Sequence, residues 1–281
     1  MDRLFSRRGG FMAPAKLAIN TSGTPTKGRI YALHGVTDNA AALCDVSERW
    51  SGEFEVVCVD ALGHGCSPRF TPEQLEDPFE ALVQSAAAVI NRIEADDPAP
   101  FVLLMGHSMG GATSADIVSR GLAHVDALVL EDPALFTVDN RRDSKTFGEH
   151  LVKWCNHVTD NLGHEVEQIL EGYPLWSRAE ATGWAQAKVQ VDRNFLSNIA
   201  VSSTRTRNEI LESLQTPTLL ITGDGDDVVI GPAGVADIDK LGLEKVTTLL
   251  IPTARHCVRR STPEPFYAAI ESFIAQLGLK G

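Results

Sequence analysis

The sequence predicts a doubly wound α/β sheet, and three observations carry that prediction. Six short apolar runs recur along the chain, most of them continuous rather than alternating, as strands covered on both faces require. Stretches of helical periodicity fall between them. One long segment, 135–215, breaks the alternation without a convincing strand of its own.

The predicted strands are Ile30–Leu33, Val56–Val59, Val102–Met105, Ala127–Leu130, Thr218–Thr222 and Val246–Ile251. Between the second and third, Leu75–Ala95 places Leu75, Phe79, Leu82, Val83, Ala86, Val89, Ile90 and Ile93 on one helical stripe. Met109–Ser119 reads as a helix directly after the third strand. Pro263–Leu277 reads as a closing helix, with proline suited to its first turn. The segment before Ile30 is short, so an early strand is expected to be missing or abbreviated. Strand and helix alternate throughout, as in a sheet with helices on both faces. Residues 1–134 and 216–281 are expected to form this core, with 135–215 as a helical cap inserted between strands. The insertion holds Trp154, Trp176 and Trp184, three of the chain's 4 tryptophans. It falls where it would cover the carboxyl ends of the strands, where ligands bind in such sheets.

At 281 residues and 43% apolar content, the chain can bury a core without a metal or disulfide staple. Its net charge of −12 argues against a broad nucleic-acid-binding face, which needs concentrated positive charge. The 5 cysteines are odd in number and widely spaced, giving neither a disulfide framework nor a metal pattern. A reducing, cytoplasmic setting is the simplest expectation. Arg7, Arg8 and Phe11 faintly suggest an export signal, but no sustained apolar stretch follows them and none is long enough to span a membrane. The expected partner is a small-molecule substrate, with no nucleic acid, no membrane, and a monomer or homodimer as the working state.

The chemistry centres on Phe101–Gly111, where a strand runs into Gly106-His107-Ser108-Met109-Gly110. This G-x-S-x-G sets a serine hydroxyl on a sharp strand-to-helix turn. Gly106, Gly110 and Gly111 remove side chains where the turn is tight. A serine hydroxyl needs a base to become nucleophilic. His256, after the last strand, would emerge at the same sheet edge. His107, inside the turn, is a weaker base and is expected to pack near the site. The base needs an orienting carboxylate. Asp226, in Gly223-Asp224-Gly225-Asp226-Asp227, is the first choice. Asp224 and Asp227 are rivals, as are Glu131 and Asp132 at an earlier strand end. Oxyanion donors are expected from the N–H groups of Met109 and Val36. His34 and Gly35 order or clear that second loop, and His34, Gly35, His107, Trp154, Trp176 and Trp184 are the expected pocket residues. Asp60 and His64, in a glycine-rich loop, are expected to be structural. No zinc motif, phosphate loop or dinucleotide fingerprint is present, and no cofactor or metal is expected.

Together these motifs resemble the α/β-hydrolase fold superfamily, in the manner of a capped serine esterase or lactonase. The likeness covers nearly the whole chain and rests on His34-Gly35, the D-x-x-G-H-G-x-S at 60–67, G-H-S-M-G-G at 106–111, G-D-x-D at 223–226 and the late His256. The resemblance implies Ser108 as nucleophile, Asp226 as acid, His256 as base, and Val36 and Met109 as oxyanion donors. Two positions depart from the family pattern: Arg255 replaces the usual glycine before the histidine, and Asp227 replaces a proline often found after the acid. Some members carry the acid after the earlier strand, which keeps Glu131 and Asp132 in play. The expected reaction is hydrolysis of a carboxylic ester or lactone through an acyl-serine. The alternatives are carbon–carbon or amide cleavage at the same site, haloperoxidase-like chemistry, a small-molecule receptor with little turnover, and a scaffold with an idle site.

Overall fold

The computed structural model describes residues 13–138 and 144–278; Arg7, Arg8 and Phe11 lie outside them. Seven strands form one sheet: β1 Ile19–Ser22, β2 Arg29–Leu33, β3 Glu55–Val59, β4 Val102–His107, β5 Ala127–Glu131, β6 Thr218–Gly223 and β7 Val246–Ile251. Their order is β1-β3-β2-β4-β5-β6-β7, and every pairing is parallel except β1 with β3. The early strand expected to be missing or abbreviated is present as the four-residue β1. Its sequence, Ile-Asn-Thr-Ser, is polar and mostly exposed, so no apolar run marks it. It is an edge strand that adds one ladder to β3.

The helices follow the predicted rhythm. In the first half they are α1 Cys44–Trp50, α2 Pro78–Asp96 and α3 Met109–Ser119. The insertion between β5 and β6 carries α4 Ser144–Asp160, α5 Leu162–Gly172, α6 Arg178–Gln190, α7 Arg193–Ser197 and α8 Arg207–Glu212. The chain closes with α9 Gly231–Asp239, α10 Val258–Ser261 and α11 Pro263–Gln276. The period-two side-chain alternation of a strand divides the core. Tyr31, Leu33, Val57, Leu104 and Leu128 face α2 and α3. Ile30, Ala32, Val56, Leu103 and Met105 face the opposite layer, where Val46 and Trp50 of α1 meet Phe266, Ile270 and Phe273 of α11. The cap has a cluster of its own, with Val158, Val166, Ala181, Trp184 and Ala185 at its centre.

Two features fix the cap to the core. Gly183 of α6 lies against the backbone of Ala41 and Ala42, where an added Cβ would come within 3.1 Å. Glu180 of the same helix accepts from Arg259 Nη1 at 2.9 Å and Arg260 Nε at 2.7 Å. Both arginines are buried, and both also reach the Ala42 carbonyl. No helix among the described residues is long and apolar enough to cross a membrane.

Candidate active site

The register of the parallel strands brings their carboxyl ends to one edge. Leu33 pairs with Gly106, His107 with Glu131, Glu131 with Ile221, and Gly223 with Ile251. The loops leaving β2, β4, β5, β6 and β7 therefore emerge together, as a doubly wound sheet requires of a ligand site.

Ser108 sits between β4 and α3 at φ 52° and ψ −115°. The turn is held by its neighbours: Ser108 N–H donates to the Glu131 carbonyl at 3.0 Å, and its own carbonyl accepts from Ala112 and Ala134 at 2.9 Å. Gly110 has no room for a side chain, because a Cβ there would run into the backbone oxygens of Leu33 and His34. All four non-glycine residues with positive φ among the described residues lie at this edge: Thr37, Ser108, Asp132 and Thr253. Such strain costs of order 1–3 kcal/mol per residue and concentrates at functional sites.

His256 follows β7 and is fixed from three sides. Its Nδ1 lies 2.5 Å from Asp132 Oδ2. Its N–H donates to Asp227 Oδ1 at 3.0 Å, and its carbonyl lies 3.2 Å from His107 Nε2. Asp132 is fully buried and immediately follows β5. It also accepts from Val229 N–H at 2.8 Å, Ile230 N–H at 3.0 Å and the Thr222 hydroxyl at 2.7 Å. With only donors around it, this carboxylate is built to remain an acceptor, and Nδ1–H is the matching tautomer of the histidine. That leaves Nε2 of His256 as the basic nitrogen.

This geometry corrects the expected partner of His256. Asp226 makes no hydrogen bond to the histidine among the described residues; its side chain is 95% exposed and lies 3.9 Å from Arg255. Its neighbours have positioning tasks instead: Asp224 accepts Thr253 N–H at 2.7 Å, and Asp227 holds the His256 backbone. Two carboxylates of the acidic loop thus hold the histidine loop by its backbone. Glu131, the other alternative, is buried and turned the other way, with Oε1 accepting Arg259 N–H at 2.8 Å.

Val36 N–H reaches no protein acceptor among the described residues, and Met109, first in α3, has no intrahelical acceptor for its own N–H. Gly35 holds the Val36 loop against the serine turn: a Cβ on it would lie 2.7 Å from His107 Nδ1 and 3.3 Å from Ser108 Cβ. His34 does not line the main cavity, contrary to expectation. It lies behind the loop, with Nδ1 2.8 Å from the Gly35 carbonyl and Nε2 accepting Ala61 N–H at 3.0 Å. His64 is equally buried and accepts Thr37 N–H at 3.4 Å, while Asp60 caps Ala40 and Cys66 N–H groups. Burial pushes His34 down and His64 to about 3, so both are neutral braces. His107 is also driven well down, by burial and then by His256 beside it.

His107, Glu131 and Cys257 bring potential metal-ligating atoms within 4.8 Å of one another. The Arg259 guanidinium, 3.7 Å from Glu131 Oε2, opposes a cation there. Burial raises the Cys257 thiol, which disfavours the thiolate a metal would want.

Ser108, His256, Gly35, Val36 and His107 line one cavity of about 740 Å³, roofed by Phe147, Trp154, Trp176 and Trp184. Lys188, Arg260 and Asp38 also line it, and sequence analysis missed all three. Nothing local marks them: Lys188 and Arg260 sit on helices and Asp38 in the loop after β2, where a charged residue ordinarily reads as solvent-facing. The arrangement offers a serine on a strained turn, a histidine with a buried carboxylate partner, backbone donors nearby, and a largely apolar chamber.

A family profile described as serine aminopeptidase, S33, matches residues 24–261. Monoglyceride lipase of Mus musculus is 24% identical over 250 residues, covering 86% of this chain and 79% of that protein. Among solved structures, a thermophilic esterase from Thermogutta terrifontis superposes with a TM-score of 0.70 at 17% identity, covering 93% of each chain. An enol-lactonase from Burkholderia xenovorans LB400 gives 0.69 at 15% identity, covering 92% of this chain and 96% of that one. These structural likenesses support the fold.

Proposed function

Since this chain belongs to the serine aminopeptidase S33 family and has the α/β-hydrolase fold, we propose that it hydrolyses carboxylic esters or lactones of small, partly apolar molecules through an acyl-serine at Ser108. The observation that carries the proposal is the 2.5 Å contact between the fully buried Asp132 and Nδ1 of His256, which lines the same cavity as Ser108. Asp132 holds the imidazole so that Nε2 accepts the Ser108 proton as the hydroxyl attacks the carbonyl. The N–H groups of Val36 and Met109 receive the oxyanion. The imidazolium then protonates the leaving alcohol, and water, deprotonated by His256, releases the acid. The lipase, esterase and lactonase named among the relatives favour an acyl–oxygen bond. Residues 135–215, taken as the cap, supply the aromatic roof.

The family's description raises peptide amides as a second reading. An aminopeptidase needs a carboxylate free to hold the substrate's amine. Of the carboxylates lining this cavity, Asp38 is engaged by Arg260 at 2.9 Å and Asp227 by Arg255 at 3.2 Å, while Glu165 has the exposed His157 at 3.2 Å, an ion pair only when that imidazole carries a proton. Esters therefore come first. The widely spaced, odd number of cysteines supports a cytoplasmic setting, and the charge of −12 supports a small-molecule rather than a nucleic-acid partner. A monomer or homodimer is expected.

The test is a panel of 4-nitrophenyl esters, γ- and δ-lactones, and amino-acid 4-nitroanilides, each assayed with a Ser108→Ala control. Turnover of an ester or lactone, lost in the control and exceeding that of every anilide, is the expected result. Anilides as the preferred substrates, or ester turnover that survives in the control, would overturn the proposal.

A further inference from the structure

The cap presents the cavity with an ammonium that the protein leaves without a carboxylate. Lys188, on α6, is 1% exposed. Its Nζ has no ion-pair partner among the described residues. Asp38, the carboxylate that acts on it most strongly, has both oxygens committed: Oδ2 to Arg260 at 2.9 Å and Oδ1 to Asn39 N–H at 3.2 Å. What surrounds the ammonium is aromatic, with the Trp184 ring centre at 4.1 Å and that of Trp154 at 5.2 Å. A cation taken from water without a direct ion pair is costly, and burial pushes this lysine down to about 7 against the upward pull of Asp38. The other cations of the cavity are already matched, Arg255 by Asp227 and Arg260 by Asp38 and Glu180.

The protein therefore tolerates an unfavourable group at the wall of the chamber that also contains Ser108 and His256. We propose that Lys188 is a specificity-determining residue that binds a free carboxylate of the substrate, so that the favoured substrates are half-esters or lactones carrying a second, ionised carboxyl group. The proposal rests on the ester-hydrolase reading above and names the substrate class for that same site. One ammonium, with the neighbouring guanidinium already engaged at Nε and Nη2, matches a single negative charge. Trp154 and Trp184 would flank the ligand's hydrocarbon linker, and the apolar surroundings strengthen the ion pair once it forms.

The charged and titratable groups around Lys188 come from every element packed on it. They are Asp38 and His34 from the β2 loop, Cys155 of α4, Cys257 just before α10, and Arg260 within it. Burial raises both thiols and lowers His34, and Asp38 is held down by Arg260 and Lys188. Lys188 is the one among these that titrates near neutrality. Carboxylate affinity should thus decline as pH rises through about 7, by at most tenfold per pH unit.

Two experiments test this. In the first, calorimetry on Ser108→Ala protein compares monomethyl glutarate with dimethyl glutarate at pH 6.5 and 8.5. The mono-acid should bind about tenfold or more tightly than the diester, as expected for a charge-assisted bond, with the advantage shrinking at the higher pH. The uncharged diester reports pH effects that do not depend on the ligand's charge. In the second, wild type and Lys188→Met are compared on the 4-nitrophenyl half-ester of glutaric acid and on 4-nitrophenyl pentanoate. The variant should raise KM for the half-ester about tenfold or more while leaving kcat and the pentanoate nearly unchanged. Its urea midpoint should equal or exceed the wild type's, because an unpaired buried charge has been removed. Equal binding of mono-acid and diester, or a variant that affects both esters alike, would overturn the proposal. Tight mono-acid binding with no ester turnover would instead sink the hydrolase reading and keep the anion site. Pentanoate turnover without a half-ester preference would do the reverse. Because the calorimetry leaves Lys188 intact, a variant that does not fold cannot block the test.

Discussion

Replacing Asp132 by asparagine changes the charge of one buried group while keeping its shape. Four donors converge on this carboxylate: His256 Nδ1 at 2.5 Å and Val229 N–H at 2.8 Å on Oδ2, and Thr222 Oγ1 at 2.7 Å and Ile230 N–H at 3.0 Å on Oδ1. An amide has one accepting oxygen, so its NH2 must face donors on one side. If the NH2 faces Thr222, the hydroxyl can turn to accept from it, Ile230 N–H is orphaned, and His256 keeps a neutral acceptor. The loss is then that of charge assistance, about 1.5–3 kcal/mol or roughly 10- to 100-fold in rate. If the NH2 faces His256, Nδ1 must accept, the proton moves to Nε2, and the base is lost. In the general serine-triad case that inversion costs about 10⁴-fold in kcat. A fall in kcat/KM of about 10-fold or more, reaching about 10⁴-fold if the NH2 faces His256, is therefore expected for Asp132→Asn, with a stability cost of about 1–3 kcal/mol for the orphaned N–H. Asp226→Asn should stay within about twofold, because its exposed side chain adds little to the field at the site. The assay is ester hydrolysis on folded protein, with urea unfolding alongside. Asp132→Asn at near wild-type activity, or Asp226→Asn falling as far, would refute the assigned geometry.

Three further outcomes are expected. Gly110→Ala should destabilise the protein by about 1–3 kcal/mol in urea unfolding and depress activity, since its Cβ would meet the His34 backbone oxygen at 2.6 Å; an unchanged midpoint would contradict the close approach. Arg259→Met should cost about 3 kcal/mol, because it takes a buried guanidinium from Asp45 and Glu180, contacted at 2.6 and 2.9 Å, and leaves them Tyr267 and Arg260 as partners; a variant as stable as wild type would show the network to be dispensable. His64 has a folded value of about 3, below its ordinary 6.5, so the unfolded chain takes up its proton first as pH falls. That contribution is fully present above 6.5 and is lost as pH drops toward 3, by up to about 1.4 kcal/mol per pH unit, with His34 and His107 adding in the same direction. Urea midpoints should therefore fall between pH 7 and pH 5, and a flat profile would count against three neutral buried imidazoles.

How far the sequence revealed this molecule depended on whether the signal was local. The six parallel strands were visible because burial on both faces leaves continuous apolar runs. The β1 strand was not, since an edge strand of Ile-Asn-Thr-Ser buries little and carries no run. The serine turn was legible from Gly106 and Gly110, whose missing side chains the backbone crossing demands. The acid was not decided by its motif. The Gly223–Asp227 loop offers three carboxylates, and two of them serve to hold the backbone that carries His256. Asp132 carried a weaker sign, a carboxylate at the end of a strand and followed by proline, and only the spatial register of β5 with β6 shows that it reaches the histidine. The contribution of Lys188 depends on a cavity assembled from α4, α6 and the β2 loop, none of which is near it in sequence except its own helix.

The most direct measurement is the intact mass of the protein after exposure to a fluorophosphonate, for wild type, Ser108→Ala and His256→Ala. One adduct on wild type, absent from Ser108→Ala and strongly slowed in His256→Ala, is the result expected of a serine activated by that histidine. Folded wild type that gains no adduct, or an adduct that persists in Ser108→Ala, would contradict it.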